Sequence, residues 1–499
     1  MKNPFSAVRM LGLLALLSSA HLVAAPVKTP PLAGPHGWLG SETLMTRVGS
    51  FEFKNGYPVG DSAQRLRDLR TLNRGAEVYL AQMMRVSATA WREGMRAFGA
   101  VTPQQVVIWE NLMDARTLLL TGNAETVYAV THLNLQSDGP TVVEAPPNML
   151  GFLMDGLQRY LADIGPLGKD QGKGGKYLIL PPGFRGDVPD GYFVVQSPTY
   201  SVNLSLRGFQ VNAKTDQAIG LMKQIKVYPL ATAAAPSAMA FINGSDRDID
   251  TVFPDNFRYF ELLAMLVNEE PAGLFDPSER AMMQSIGIEK GRPFQPDARM
   301  KELLSEAARM GGAMARENAY ASDTGRYYPG RQWQGIPDGL TYTFVQGGIP
   351  QVDTRNWVYY MALGNSPAIM AKNIGRGSQY LWTYRDAKGS YLDGGKTYRL
   401  HIPAGIPAKG FWSFVVYDSL SRSQLQNGQP FPGVSSYTKP LVNGDGSIDI
   451  DFGPKPPKEK RNWIKTVPGK GWFPFFRAYG PTEAYFDKTW QLEDIVPVR

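Results

Sequence analysis

The sequence predicts a multidomain, mainly β protein with helical segments, on three observations. Between about Thr126 and Gly208, apolar residues recur at every second position in short runs bounded by Gly or Pro, the signature of strands in a sandwich. The same period returns in Leu392–Pro403 and Phe411–Asp418, two alternating stretches joined by a Pro-rich turn. Between these regions, Asp255–Ala321 switches to spacings of three and four, which is helical. At 499 residues the chain exceeds one ordinary core, so two to four domains are expected. Its 52 Gly and 38 Pro show no period, so they read as turns rather than as a collagen-like or low-complexity chain.

Residues 1–25 read as a signal peptide. Lys2 and Arg9 precede the short apolar run Met10–Leu17, and small residues follow through Ala25. That order of charge, apolar core and small residues is the secretory layout. Pro26 disfavours a cut directly after Ala25. The run is shorter than the roughly 20 apolar residues a spanning helix needs, so no transmembrane segment is expected after cleavage. Residues 26–60, rich in Pro, Gly and polar residues, read as a linker or arm.

Residues 61–235 read as a helical lead-in followed by a sandwich. Leu80, Met84, Ser87, Trp91, Met95 and Phe98 line one buried seam of a helix over 62–98. Thr102-Pro-Gln-Gln105 resembles a capping box opening a second, short helix. From Thr126 the pattern puts Val127, Ala129, Thr131, Leu133 and Leu135 on one strand face, with Tyr128, Val130, His132 and Asn134 on the other. Strands follow at 141–144, 177–180, 192–196 and 201–208. The Gly168–Gly175 stretch is Gly- and Lys-rich without the spacing of a phosphate loop, and reads as a mobile loop.

Residues 236–335 read as a helical connector. Phe257–Glu270 is a helix ended by Pro271; Asp276-Pro277 is an N-cap with Pro at the first helical position; a third helix starts after Pro296-Asp297. Residues 336–499 return to strands and turns, with strands at 396–402, 411–418, 447–452 and 473–479 and a hairpin signal at Asn443-Gly-Asp-Gly446. This is read as a jelly-roll-like double sheet.

Two groups of residues resemble known families. Asn123-Ala-Glu125-Thr126-Val-Tyr128, Leu133-Asn134-Leu135, Gly139-Pro140 and Gly175-Lys-Tyr-Leu-Ile-Leu-Pro-Pro-Gly183 resemble the bacterial domain-of-unknown-function family 1254. Leu392-Asp-Gly394, Tyr398–Pro403, Phe411-Trp-Ser413, Tyr417-Asp418, Asn462-Trp463 and Arg477-Ala-Tyr-Gly-Pro481 resemble family 1214, with which the first is paired. Glu125 and Asn134 stand where the family pattern has Asp. The resemblance implies an N-terminal immunoglobulin-like sandwich, a helical connector and a C-terminal jelly roll. It implies no established reaction.

Composition narrows the chemistry. With no Cys there are no disulfides, thiolate metal sites or cysteine nucleophiles, which suits an oxidising compartment and a periplasmic or secreted protein. The net charge of +7 is dispersed along the chain rather than gathered in the stripe of a nucleic-acid reader, so no nucleic-acid partner is expected. G-x-S-x-G, P-loop and H-E-x-x-H motifs are absent. His21 falls in the signal peptide and His36 in the arm, leaving only His132 and His401 in strands, so neither a metal site nor a cofactor is expected. Asp445, Ser447, Asp449 and Asp451 alternate down one strand and read as a solvated face. No pair of carboxylates stands out.

The candidate ligand-binding residues are Arg477, Asn462, Trp463, Tyr479, Tyr417, Tyr128 and His132. Rings stack on sugars or apolar ligands, Arg477 forks onto an anion, Asn462 donates and accepts, and His132 can act as a base. Trp412 alternates with Ser413 and reads as core. The leading expectation is an exported envelope protein that binds a glycan or an amphipathic ligand. The alternative is a hydrolase or lyase acting on a sugar or ester through acidic residues with Tyr or His. Self-association through the aromatic surface is a third expectation.

Overall fold

The computed structural model describes residues 41–498. The segment read as a signal peptide, His21, His36 and the first part of the expected arm lie outside them. Residues 41–58, expected within the arm, form a small antiparallel sheet of Ser41–Thr46, Gly49–Lys54 and Tyr57–Pro58. Asn55 and Gly56 both take positive φ (51° and 81°) at its second turn, the backbone of a two-residue hairpin.

From Thr71 onward the chain forms a second compact unit, mainly β with helical segments. A four-stranded sheet (Phe193–Gln196, Gly175–Leu180, Thr141–Ala145, Lys226–Pro229, in spatial order) faces a six-stranded sheet. The six run Ala240–Asn243, Gln105–Ile108, Thr126–Asn134, Ser201–Phe209, Met149–Asp155 and Tyr160–Ile164. Between them lie Val127, Ala129, Leu133, Val143, Tyr177, Ile179, Leu204, Leu206 and Val227, the inward sets that the period of two selects. The expected short helix after Thr102 does not form. The Gln105 side chain instead accepts from the backbone N–H groups of Val101 and Thr102, both at 2.9 Å, closing a turn, and β-branched Val106-Val107-Ile108 continue as a strand.

The outer face of the six-stranded sheet is not solvated. Tyr128, Val130, Phe152 and Met154 pack under Trp91 and Met95 of the helix Ser62–Ala97. The other side of that helix carries Val78, Tyr79, Met83, Val86 and Ala90 into a larger core shared with helices Arg258–Glu269, Pro277–Gln284 and Ala298–Tyr320. The helix therefore buries two faces, where one seam was expected. Asp276 caps Pro277–Gln284 in a full capping box with Glu279. Gly311 allows a close helix approach: a Cβ there would lie 2.6 Å from the Tyr79 ring.

A further helix, Val352–Met361, lies in a stretch expected to hold strands and turns. Asn356 to Met361 are all buried, so its sequence shows no polar face for periodicity to detect.

The C-terminal strands form two stacked sheets. One orders Gln334–Gly335, Ser378–Trp382, Trp472–Tyr479, Trp412–Asp418 and Gly433–Ser435. The other orders Asn462–Lys465, Ile448–Gly453, Tyr398–Ile402 and Val496–Pro497. The strands on either side of the Pro-rich turn thus sit in different sheets, enclosing Leu400, Ile402, Trp412, Phe414, Ile450, Phe452 and Phe476. Asn443–Gly446 makes a tight turn, Gly446 donating to the Asn443 carbonyl at 3.0 Å, but only the strand after it forms. The opposite face of the five-stranded sheet presents Trp382, Tyr384, Tyr417, Phe473 and Phe475 to the helical layer. Among the described residues no helix is long and apolar enough to cross a membrane.

Candidate functional site

The six-stranded and five-stranded sheets approach each other beside the helical layer and leave a narrow cavity of about 80 Å³. Tyr128, Phe152, Ser205 and Arg207 line it from one sheet, Tyr380, Trp382, Phe475 and Arg477 from the other. Trp91, the Leu119–Gly122 turn and the segment from Val358 to Met370 complete the wall. Most of these side chains are buried, the two arginines included (Arg207 8% and Arg477 3% exposed).

Cross-strand pairing puts the polar groups together. Arg207 lies opposite Tyr128, and Arg477 lies opposite Tyr380 in one neighbouring strand and Ser413 in the other. The Arg477 guanidinium sits 4.9 Å from the Phe475 ring and 5.4 Å from that of Tyr417, and donates to the Thr121 carbonyl. Arg207 sits 5.4 Å from the Tyr128 ring. Arg477 Nη1 and Arg207 Nε have no hydrogen-bond partner.

Asn123 joins the sheets. Its Oδ1 accepts from the backbone N–H groups of Glu125 and Thr126, and its Nδ2 donates to the Tyr479 hydroxyl at 2.7 Å and that of Tyr128 at 3.2 Å. Tyr417 donates to the Gly122 carbonyl at 2.6 Å. Burial pushes Tyr417 and Tyr479 above the ordinary phenol value, so both keep their protons. Glu125 is buried next to this cluster; desolvation raises its carboxyl above the usual range, and Arg477 opposes that rise.

Arg477, Tyr479, Tyr417 and Tyr128 are thus brought together, while the other three candidates lie elsewhere. Asn462 and Trp463 belong to the other C-terminal sheet. Asn462 uses its amide on Leu441 (accepting at 2.8 Å, donating at 2.9 Å) and on the Asp449 carbonyl. Trp463 donates to the Gly453 carbonyl. His132 borders a separate, more polar cleft of about 420 Å³ with Arg92, Arg96 and Glu269. Its Nδ1 lies 2.6 Å from Asn203 Oδ1. Because the Asn203 amide donates to the Asp155 carbonyl, the imidazole is the donor there. Burial lowers its pKa to about 3. Arg92 in that cleft is neutralised by Glu269 at 2.7 Å and Glu93 at 3.1 Å.

The acidic stripe near residue 449 is paired rather than free: Asp449 meets His401 at 2.7 Å and Asp451 meets Arg399 at 2.7 Å. The Gly168–Gly175 loop is anchored by buried Asp170, which accepts from Gly165 N–H and the Tyr177 hydroxyl, both at 2.8 Å. Sequence reasoning missed Arg207 and Asn123. Arg207 shares a strand face with Asn203 and Ser205, so the sequence around it shows no apolar pattern that marks the face as covered; only the pairing with Tyr128 reveals it.

Residues 103–229 match the family model described as Protein of unknown function (DUF1254), and residues 377–483 that described as Protein of unknown function (DUF1214). The chain carries both, in that order. The two matched segments supply the sheet residues that face each other across the cavity; Trp91 and the wall from Val358 to Met370 lie outside both. No curated protein matches the chain. Among solved structures, the VPA0106 protein from Vibrio parahaemolyticus is similar at 18% identity with a TM-score of 0.52, over 86% of this chain and 100% of that one. A putative uncharacterised protein from Burkholderia cenocepacia aligns at 11% identity and a TM-score of 0.40, over 87% and 96%. The first likeness is one of fold.

Proposed function

We propose that this chain is an exported envelope protein that binds a small amphipathic ligand in the cavity between its two facing sheets. The observation that carries this reading is a wall of buried rings and aliphatic groups into which a few polar groups converge, the usual composition of a small-molecule site. At about 80 Å³ the space takes roughly five waters or a slender organic body, which favours an amphipathic ligand over an oligosaccharide. Of the described residues lining it none is Asp, Glu or His, so the side chains that most often move protons in hydrolases are not at hand, and binding is favoured over hydrolysis or lysis. Trp91, Trp109 and Trp382 line the space, so titrating short amphiphiles should change tryptophan fluorescence saturably. A panel spanning acids, alcohols and amines that gives no saturable change removes the proposal. The export component predicts a mature N-terminus near Ala20–Ala25, read by sequencing the secreted or periplasmic protein.

A further inference from the structure

We infer that the polar end of the cavity is a carboxylate site, built by Arg207 and Arg477 around Tyr380, for a slim apolar molecule bearing one negative charge. This rests on the binding role proposed above and specifies what is bound. Both guanidiniums stay charged at any physiological pH, and both are more than nine-tenths buried. Neither forms an ion pair among the described residues, and each keeps an N–H atom with no partner. A buried charge left without a counter-ion is costly, and rings alone recover only part of that cost. The two converge: both line the cavity together with Tyr380, and Arg477 lies 6.0 Å from the Tyr380 ring. One buried carboxyl, Glu125, stands against two cations, so a single anionic charge from the ligand would restore balance. A planar carboxylate matches the guanidinium fork and suits a narrow space better than a tetrahedral phosphate does.

The test compares hexanoate, 1-hexanol and hexyl phosphate on the full chain by calorimetry. Hexanoate should bind at least 10-fold more tightly than hexanol and more tightly than hexyl phosphate. Arg477→Gln and Arg207→Gln should each weaken hexanoate at least 10-fold and leave hexanol within about twofold. Lys409→Ala, on the exposed rim of a separate groove, should leave hexanoate unchanged. Should the arginine variants fail to fold, the hexanoate-to-hexanol ratio of the unaltered protein decides. Equal affinity for hexanoate and hexanol overturns the carboxylate assignment while leaving amphiphile binding standing. Binding of hexanol alone, or loss of hexanoate binding in Lys409→Ala, overturns the assignment too. Binding of none of the fluorescence panel overturns both readings together.

Discussion

Asn123 holds together groups that lie far apart in sequence. It closes its own turn through two backbone N–H groups and reaches the hydroxyls of Tyr128 and Tyr479. All of these groups are buried. Asn123→Ala therefore strands several polar atoms at once, and a loss of about 2–4 kcal/mol is expected, measured by urea unfolding; a loss under 0.5 kcal/mol would show that the two sheets do not depend on this contact. His132 makes a prediction about charge. In the unfolded chain it titrates near 6.5, whereas burial holds the folded value at about 3. Between these limits the unfolded chain binds more protons, so His132 subtracts stability as pH falls from 6.5 toward 3, at up to about 1.4 kcal/mol per pH unit. Its ring resonances should stay flat from pH 7.5 to 4.5. A titration midpoint near 6.5 would overturn the buried, neutral assignment. At this scale the sequence was informative where chemistry and alternation agreed: Arg477, Tyr479, Tyr417 and Tyr128 meet. It misled for Asn462, whose donors and acceptors serve its own sheet, because a single residue's valences do not reveal whether the backbone has already used them.

Elements whose two faces differ in polarity were the legible ones. The Thr126–Asn134 strand and the Asp276-capped helix follow directly from period and cap chemistry, while Trp412–Asp418, buried at every residue, was legible from its position after the Pro-rich turn. Met149–Asp155, buried at every residue, and Val352–Met361, buried from Asn356 onward, went unread, because burial of both faces erases the contrast that periodicity detects. The wall segment between Val358 and Met370 also explains why the cavity was illegible: its contacts run across elements. Asp163, on the Tyr160–Ile164 strand, is buried beside Ser366 and Ala368 of that wall, and its Oδ1 has no hydrogen-bond partner. Burial lifts its pKa to about 6, the nearby Ser366 and Ala368 dipoles opposing the rise. The folded chain thus holds this proton more tightly than the unfolded chain, whose carboxyl titrates near 3.9. Asp163 costs stability above pH 6, and the cost is relieved as pH falls through 6 toward 4, opposite in sign to His132. Asp163→Asn should stabilise the protein at pH 7.5 by up to about 3 kcal/mol, with the gain fading by pH 4.5. A gain that is absent at pH 7.5, or unchanged at pH 4.5, would contradict the raised value.

Within the Thr71–Arg499 unit, the five-stranded sheet is covered on both sides. One face closes the C-terminal sandwich; the other carries Trp382, Tyr384, Tyr417, Phe473 and Phe475 into the helical core. A sandwich cut out of this arrangement uncovers those five rings. At roughly 150 Å² or more per ring, that exposes well beyond the few hundred Å² of contiguous apolar surface a monomer tolerates. It also loses Tyr327, Tyr328 and Trp333, which pack into its core from outside the matched family segment. The C-terminal family segment is therefore a sequence unit without being a folding unit. A fragment of residues 377–499 should aggregate or bind a hydrophobic dye strongly, whereas the full chain should do neither. If that fragment sediments as a monomer, leaves the dye dark and unfolds cooperatively, then the helical layer is merely adjacent to the C-terminal sheets and the cavity wall it shares with them would have to be stabilised by some other contact.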